Sequence, residues 1–332
     1  MFKQLHINEA SRNVDFENET IIGPWCLSSD FDVDVEKYLD VYIDPWDCPT
    51  RVSRETQNLH NLLDECVFHF YELFFQKYNI PEGIVFFRPL LINWIGPILS
   101  LVHERKIQLE AFLLENTEEK FVYECVEVAS IQLETTGCAA KLARNKDFSA
   151  HVISLLIKRI QPKNLSLSQT KKVDKIFIDS DEKKPKGVLQ YVRSLARQAF
   201  YGASISPYFP LTPFKNILAV IFLTIYSRAL ARSTDLKPKQ KCDAKFDRRK
   251  DRKEDISFDV VIEICKRCLP DSLNENFFDF FNATKIKASK ETVLVFVQYP
   301  DAFYEDRLFL NAYRYANGKK VFYQQHGCAY DS

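Results

Sequence analysis

Glycine is scarce in this sequence, with 8 in 332 residues, and none of them builds a phosphate-binding loop, a dinucleotide fingerprint or a nucleophile elbow. Charge of one sign is not in excess. The 45 basic and 45 acidic residues cancel, which argues against nucleic acid as a partner, because phosphate binding leaves a basic surplus. No disulfide framework is visible either. The nine cysteines are odd in number and scattered, and Met1 to Asn18 is polar and mixed in charge rather than a secretory signal. Both features point to a reducing compartment with free thiols. The run that reads as most apolar falls well short of the roughly 20 residues that cross a bilayer. The most apolar stretch, Ile217 to Tyr226, is flanked by Lys215, Arg228 and Arg232 and reads as a buried helix, with contact at a membrane surface as the alternative.

Hydrophobic residues make up 46% of the chain, enough for a packed core. Phe and Tyr dominate the large side chains, and they fill cores and sugar-stacking surfaces alike. Cys265-Lys266-Arg267-Cys268 has the spacing of a metal or redox pair. No second ligand pair accompanies it and the segment reads as helix, so ordinary thiols are expected and no metal or cofactor is called for.

Glu19 to Leu27 begins with β-branched residues and breaks at Gly23-Pro24, the pattern of a strand running into a loop. Leu39 to Trp46 is a short extended segment. Asn58 to Lys77 carries apolar residues at helical spacing, and Leu90 to Leu114 is a second helical stretch with a break expected at Gly96-Pro97. Phe121 to Ala129 fits strand or helix, and Ser149 to Ile160 is helical. Gln161 to Lys171 reads as a polar linker, followed by a strand over Val173 to Asp179. Helices are expected over Gly187 to Phe200 and Pro213 to Arg232. Lys237 to Asp255, with nine Lys or Arg and five Asp or Glu, reads as an exposed loop.

The last segment is the most regular. Asp259 to Phe281 is largely helical. Thr292 to Val297 is an almost wholly apolar strand, as in a sheet covered on both faces. Glu305 to Ala316 is an amphipathic helix ended by Asn317-Gly318, and Lys319 to Gln324 is the next strand. A strand–helix–strand unit of this kind is parallel and right-handed, and ligands bind beyond the carboxyl ends of such strands. That edge is where Gln325-His326-Gly327 falls. His326 is therefore the strongest candidate for proton transfer near neutral pH, with Gly327 permitting close backbone approach and Gln325 orienting the ring or binding a hydroxyl. Arg88, among Phe86, Phe87 and Pro89, reads as a buried guanidinium that needs a carboxylate or phosphate acceptor. Trp25 and Trp94 could line a sugar cleft or pack in the core. His103, beside Glu104 and Arg105, has the pattern of a helix surface. His60 and His69 are too far apart on their helix for a metal pair, and His6 and His151 lack chemical context.

Three segments occur in a familiar order: Ile22-Gly23-Pro24-Trp25-Cys26, then Phe87-Arg88-Pro89-Leu90-Leu91-Ile92-Asn93-Trp94-Ile95-Gly96-Pro97, then Gln324-Gln325-His326-Gly327-Cys328-Ala329-Tyr330. Together they span nearly the whole chain, and they resemble a family of transferases from bacterial surface-carbohydrate loci. That family is distantly similar to two-domain GT-B glycosyltransferases and to the polyol-phosphate transferases of teichoic acid synthesis. Ile98 stands where the family pattern has Trp. In the last motif Cys328 replaces the second Gly of Gln-His-Gly-Gly-x-Tyr-Gly, and Asp331 replaces its last residue.

The resemblance implies an α/β fold: the N-terminal Rossmann-like half of a GT-B-type architecture, with a substantial helical portion. The expected domains are 1–165, α/β and helical, and 166–332, Rossmann-like and ending at the His-Gly loop. A C-terminal donor-binding domain would follow, so the chain is expected to be a fragment, inactive alone. The implied activity is glycosyl or polyol-phosphate transfer in surface polysaccharide assembly. Its donor would be a nucleotide-activated sugar or polyol phosphate, and its acceptor a carbohydrate or lipid-linked molecule. His326 would act as the base, and Gln325, Gly327, Tyr330, Arg88 and Trp25 would bind substrate. Such an enzyme would be cytoplasmic, or peripheral at the inner face of the cell membrane. The competing readings are a non-catalytic carbohydrate- or nucleotide-binding module, and a nucleotide-sugar epimerase of similar architecture.

Overall fold

A computed structural model describes residues 2–8, 14–15, 17–26, 49–180, 204–205, 255–288, 294–298, 304–318 and 320–324. The segments expected over 39–46, 187–200, 213–232 and 237–254, and the motif residues after Gln324, lie outside the described residues. The fold is mixed α/β, with two parallel sheets. The chain divides into two compact units. The first comprises Met1–Phe74, Leu91–Ser180 and Arg252–Asn274, and the second Phe75–Leu90, Asp181–Asp251 and Glu275–Ser332.

In the first unit four strands lie in the order β2-β1-β3-β4. They are β1 (Phe2–His6), β2 (Glu19–Ile21), β3 (Lys120–Leu133) and β4 (Leu165–Ile178), and every pairing is parallel. The sequence left Phe121 to Ala129 open between strand and helix. It is strand because alternate side chains such as Phe121, Tyr123 and Cys125 are buried in the period of two that a pleat imposes. β4 corrects the reading of Gln161 to Lys171 as a linker. Its polar side chains are mostly exposed, but the backbone pairs with β3 from Phe121↔Leu165 to Leu133↔Ile178. The register slips between Tyr123 and Glu124, and there the Ser168 hydroxyl donates to the Tyr123 carbonyl at 2.8 Å, a bulge satisfied by its own side chain.

Two long helices follow β2: α1 (Pro49–Tyr78) and α2 (Gly83–Glu115). The expected break at Gly96-Pro97 does not occur, and α2 runs through both residues. The reason is burial. Trp94, Ile95, Ile98 and Leu99 are all fully buried, and each buried side chain of this size contributes about 1.5–3 kcal/mol. Together they outweigh the roughly 3 kcal/mol that a helical proline costs. α2 is also long and apolar enough to cross a membrane by length and composition, but half of its most apolar stretch is buried within the protein, as in the core helix of a globular unit. After β3 come α3 (Cys138–Leu142) and α4 (Lys146–Ile160). The Asn145 side chain caps α4 by accepting from the Phe148 N–H, and Gln161 closes it in the left-handed region at φ 52°. α5 (Ile256–Arg267) is capped by Asp255 in the same way.

The second unit holds β5 (Ser204–Ile205), β6 (Leu294–Gln298) and β7 (Lys320–Gln324) in that order, all parallel. The expected strand–helix–strand unit is present: α7 (Glu305–Ala316) joins β6 to β7, and Leu294 to Gln298 pairs in register with Lys320 to Gln324. The helix expected over Asp259 to Phe281 is split. α5 stops at Arg267, a 3-10 turn covers Asp271–Leu273, and α6 (Phe277–Ala288) starts afresh, because Pro270 cannot continue a helix. Phe277 anchors the core of this unit. Its ring stacks on Tyr78 at 4.0 Å and on Phe281 at 5.7 Å, and it also meets Phe87 at 5.8 Å and Phe309 at 5.9 Å.

Candidate functional site

Of the residues singled out by sequence, His326, Gln325, Gly327 and Tyr330 lie outside the described residues. β7, the strand that precedes them, ends at Gln324 directly beside the end of β6 at Gln298. Arg88 is exposed on α2, whereas Phe86 and Phe87 before it are fully buried, so the guanidinium is not the buried group its neighbours suggested. Consecutive helical residues point about 100° apart, and an apolar sequence context does not bury every member of a turn. Trp94 is buried in the first unit, edge-on to Phe70 at 4.9 Å, a core role.

Trp25 stands at the carboxyl end of β2, in a 3-10 turn over Pro24–Cys26. That turn folds back on the end of β1: the Ile22 N–H and the Cys26 thiol both donate to the His6 carbonyl at 3.2 Å. Trp25 folds over Gly23, where an added Cβ would come within 2.1 Å of the indole, so only glycine fits. The Arg105 guanidinium of α2 lies over the same ring at 3.3 Å and donates to the Ser149 hydroxyl at 2.9 Å. The Trp25 Nε1–H is buried without a hydrogen-bond acceptor among the described residues. Cys26 is fully buried, and burial pushes its thiol up to about 12, against weaker pulls from the Gly23 and Ile22 backbone and the Arg105 charge. It is a packing residue rather than a nucleophile.

Two further polar clusters belong to the same unit. His6 Nε2 lies 3.2 Å from Glu19 Oε2, with the Glu19 residue only 8% exposed. The same carboxylate oxygen accepts the Asp15 N–H at 3.3 Å. Asp147, in the first turn of α4, accepts from Asn8 at 3.3 Å and from Lys171 at 2.8 Å. His6 gave no signal in the sequence because Glu19 becomes its neighbour only when β1 and β2 pair, with Gln4 beside Glu19.

The remaining histidines separate clearly. His103 is buried, not on a helix surface, and its Nε2 is 3.3 Å from Glu55 Oε2, close but poorly aligned for a hydrogen bond. Burial holds its pKa below the ordinary value, with the Glu55 charge opposing. Lys106 reaches Asp255 at 3.4 Å nearby, and burial raises Glu110. His151 is structural. Its Nδ1 is 3.0 Å from the Val126 carbonyl, and Arg267 stands at its Nε2 at 3.5 Å while donating to the Val128 and Ala129 carbonyls. The Cys265–Cys268 pair is buried, and burial, followed by the hydrogen bond with Cys268, raises the Cys265 thiol well above its usual range. Among the described residues no group of three or more His, Cys, Asp or Glu side chains is arranged to hold a metal ion.

No curated protein and no solved structure matches the chain. A family model matches residues 3–332, close to the full sequence. The chain therefore belongs to the LIC12162 family of transferases, whose chemistry moves a group from a donor to an acceptor.

Proposed function

We propose that the protein is a glycosyl or polyol-phosphate transferase of bacterial surface polysaccharide assembly. In this reading it takes its group from a nucleotide-activated donor and passes it to a carbohydrate or lipid-linked acceptor. The parallel pairing of β6 with β7 carries the reading: it makes Gln324 the carboxyl end of a strand in a family of transferases, and the chain continues directly into Gln325-His326-Gly327. His326 is the base that takes the proton of the acceptor hydroxyl as that oxygen attacks the donor, and Gln325, Gly327 and Tyr330 hold the acceptor or the leaving group. Arg88, of the same unit, is a further proposed substrate contact. The architecture proposed with this activity is the acceptor-side, Rossmann-like half of a GT-B arrangement. A nucleotide-activated donor places it in the cytoplasm, at the inner face of the membrane where a lipid-linked acceptor is presented.

The test is release of nucleotide from sugar- and polyol-phosphate-activated donors, with cell-envelope material as acceptor, by the protein expressed from its complete reading frame. His326→Ala is expected to lower turnover roughly 10²–10⁴-fold, the usual contribution of a general base, with the thermal midpoint nearly unchanged. Intact turnover in this variant, or unfolding of it, removes the mechanism.

A further inference from the structure

We propose that the carboxyl edge of β1 and β2 is a binding site for a hydroxyl-rich ligand, a sugar or polyol, whose hydroxyl proton is accepted by His6 Nδ1. The inference rests on the transferase reading.

The geometry fixes the chemistry of His6. Glu19 Oε2 receives the Asp15 N–H and lies 3.2 Å from His6 Nε2. A carboxylate oxygen can only accept, so Nε2 is the nitrogen that carries the hydrogen. In the neutral ring Nδ1 is then left with its lone pair. Glu19 is the only hydrogen-bond partner of this imidazole among the described residues, and the side chain keeps 21% of its exposure. The arrangement is that of a base held in one tautomer and one orientation by a carboxylate, the second element of a proton-accepting site.

Position adds an independent argument. Ligands of parallel α/β sheets bind beyond the carboxyl ends of the strands, and His6 is the last residue of β1. The turn after β2 is fastened to it through the His6 carbonyl, which brings Trp25 to the same edge. Trp25 Nε1–H is a buried donor lacking an acceptor, and an orphaned donor of this kind costs about 1–3 kcal/mol unless a bound group satisfies it. His6 Nδ1 accepts and Trp25 Nε1–H donates, so a ligand of this edge must both give and receive hydrogen bonds. Hydroxyl groups on neighbouring carbons do both.

The experiment labels the histidines of the whole protein with ¹³C and ¹⁵N and assigns His6 by the resonance that His6→Gln removes. Methyl α-D-glucopyranoside and sn-glycerol 3-phosphate are the probes, each titrated to roughly 10 mM, about ten times a millimolar Kd. A saturable shift of the His6 ring signals with at least one probe is expected, and Glu19→Gln should weaken it roughly tenfold or more. Absence of a shift with both probes, or a shift unchanged by Glu19→Gln, overturns the site. Should Glu19→Gln fail to fold, the ring tautomer of the unaltered protein decides, since a hydrogen on Nδ1 also overturns it. Failure here with a strong His326→Ala effect on turnover removes only this site. A His6 response beside a His326→Ala variant of full turnover removes only the proposed mechanism.

Discussion

His151 offers the sharpest test of how the first unit is held together. β1 pairs with β3 only from Phe2↔Lys120 to Leu5↔Tyr123, yet β3 continues to Leu133. Beyond the reach of β1, side chains take over the backbone bonding. The Val126 N–H donates to the Ser154 hydroxyl at 2.9 Å, and Arg267 donates to the Val128 carbonyl; His151 Nδ1 lies 3.0 Å from the Val126 carbonyl and 3.4 Å from the Val128 N–H, and because the nearer atom is an oxygen that can only accept, Nδ1 carries the hydrogen. With hydrogen on Nδ1, the His151 Nε2 lone pair faces Arg267 at 3.5 Å. Protonation would place a second positive charge there. Burial first, and Arg267 next, hold the His151 pKa below 6.5, with the bond to Val126 opposing.

Replacing His151 with Phe keeps the ring and removes the donor, leaving the buried Val126 carbonyl unsatisfied. The expected loss at pH 7.5 is about 1–3 kcal/mol of unfolding free energy, measured by urea denaturation. The sign of the pH effect follows from the depressed native pKa. The unfolded ring binds a proton below 6.5 while the native ring stays neutral, so the stabilisation is complete above 6.5 and is lost as the pH falls toward the native value. The limiting slope is about 1.4 kcal/mol per pH unit for one histidine. The difference between the unaltered protein and His151→Phe should therefore shrink as the pH is lowered from 6.5 to 5.5, with that slope as its upper bound. A difference constant across this range would refute the neutral, Val126-bonded ring.

Gly23→Ala should push Trp25 off its place, because the new Cβ would sit 2.1 Å from the indole; the change is read as loss of near-ultraviolet ellipticity and a shift in tryptophan emission. Asn145→Ala should cost about 1 kcal/mol through loss of the α4 cap, measured by chemical denaturation. Phe277→Ala should cost about 3–5 kcal/mol in the second unit by opening a cavity among Tyr78, Phe87, Phe281 and Phe309, and differential scanning calorimetry should show it.

The elements legible in the sequence were those whose burial imposes a period. The apolar run before Gln298 and the amphipathic pattern of α7 define a parallel pair with its crossover helix, and the pair is found in register. The second half of β4 was legible as the strand expected over Val173 to Asp179, whereas the first half was not, for the same reason in reverse. Its faces are largely solvated, so no alternation marks it, and its existence depends on a backbone ladder to β3 that leaves no trace in residue type. The uninterrupted α2 was missed because Gly96 and Pro97 are local costs, while the burial that overrides them is tertiary.

Site residues divide along the same line. A motif contiguous in sequence, such as Ile22-Gly23-Pro24-Trp25-Cys26, announces itself, and the structure gives its parts separate reasons. Gly23 makes room for Trp25, Cys26 fastens the turn to β1, and Trp25 carries Arg105. Pairs assembled by strand pairing or helix packing do not announce themselves. His6 with Glu19, and His103 with Glu55, are invisible until the pairing is known, and the charged neighbours Glu104 and Arg105 made His103 look like surface. A histidine is thus poorly judged by the residues beside it in sequence. What separates the three is what the folded chain puts at each ring. His151 has both nitrogens occupied by backbone and guanidinium, and His103 is buried against one carboxylate with poor alignment. His6 has one nitrogen held by Glu19 and no other hydrogen-bond partner among the described residues, at the edge of the sheet where a ligand is proposed.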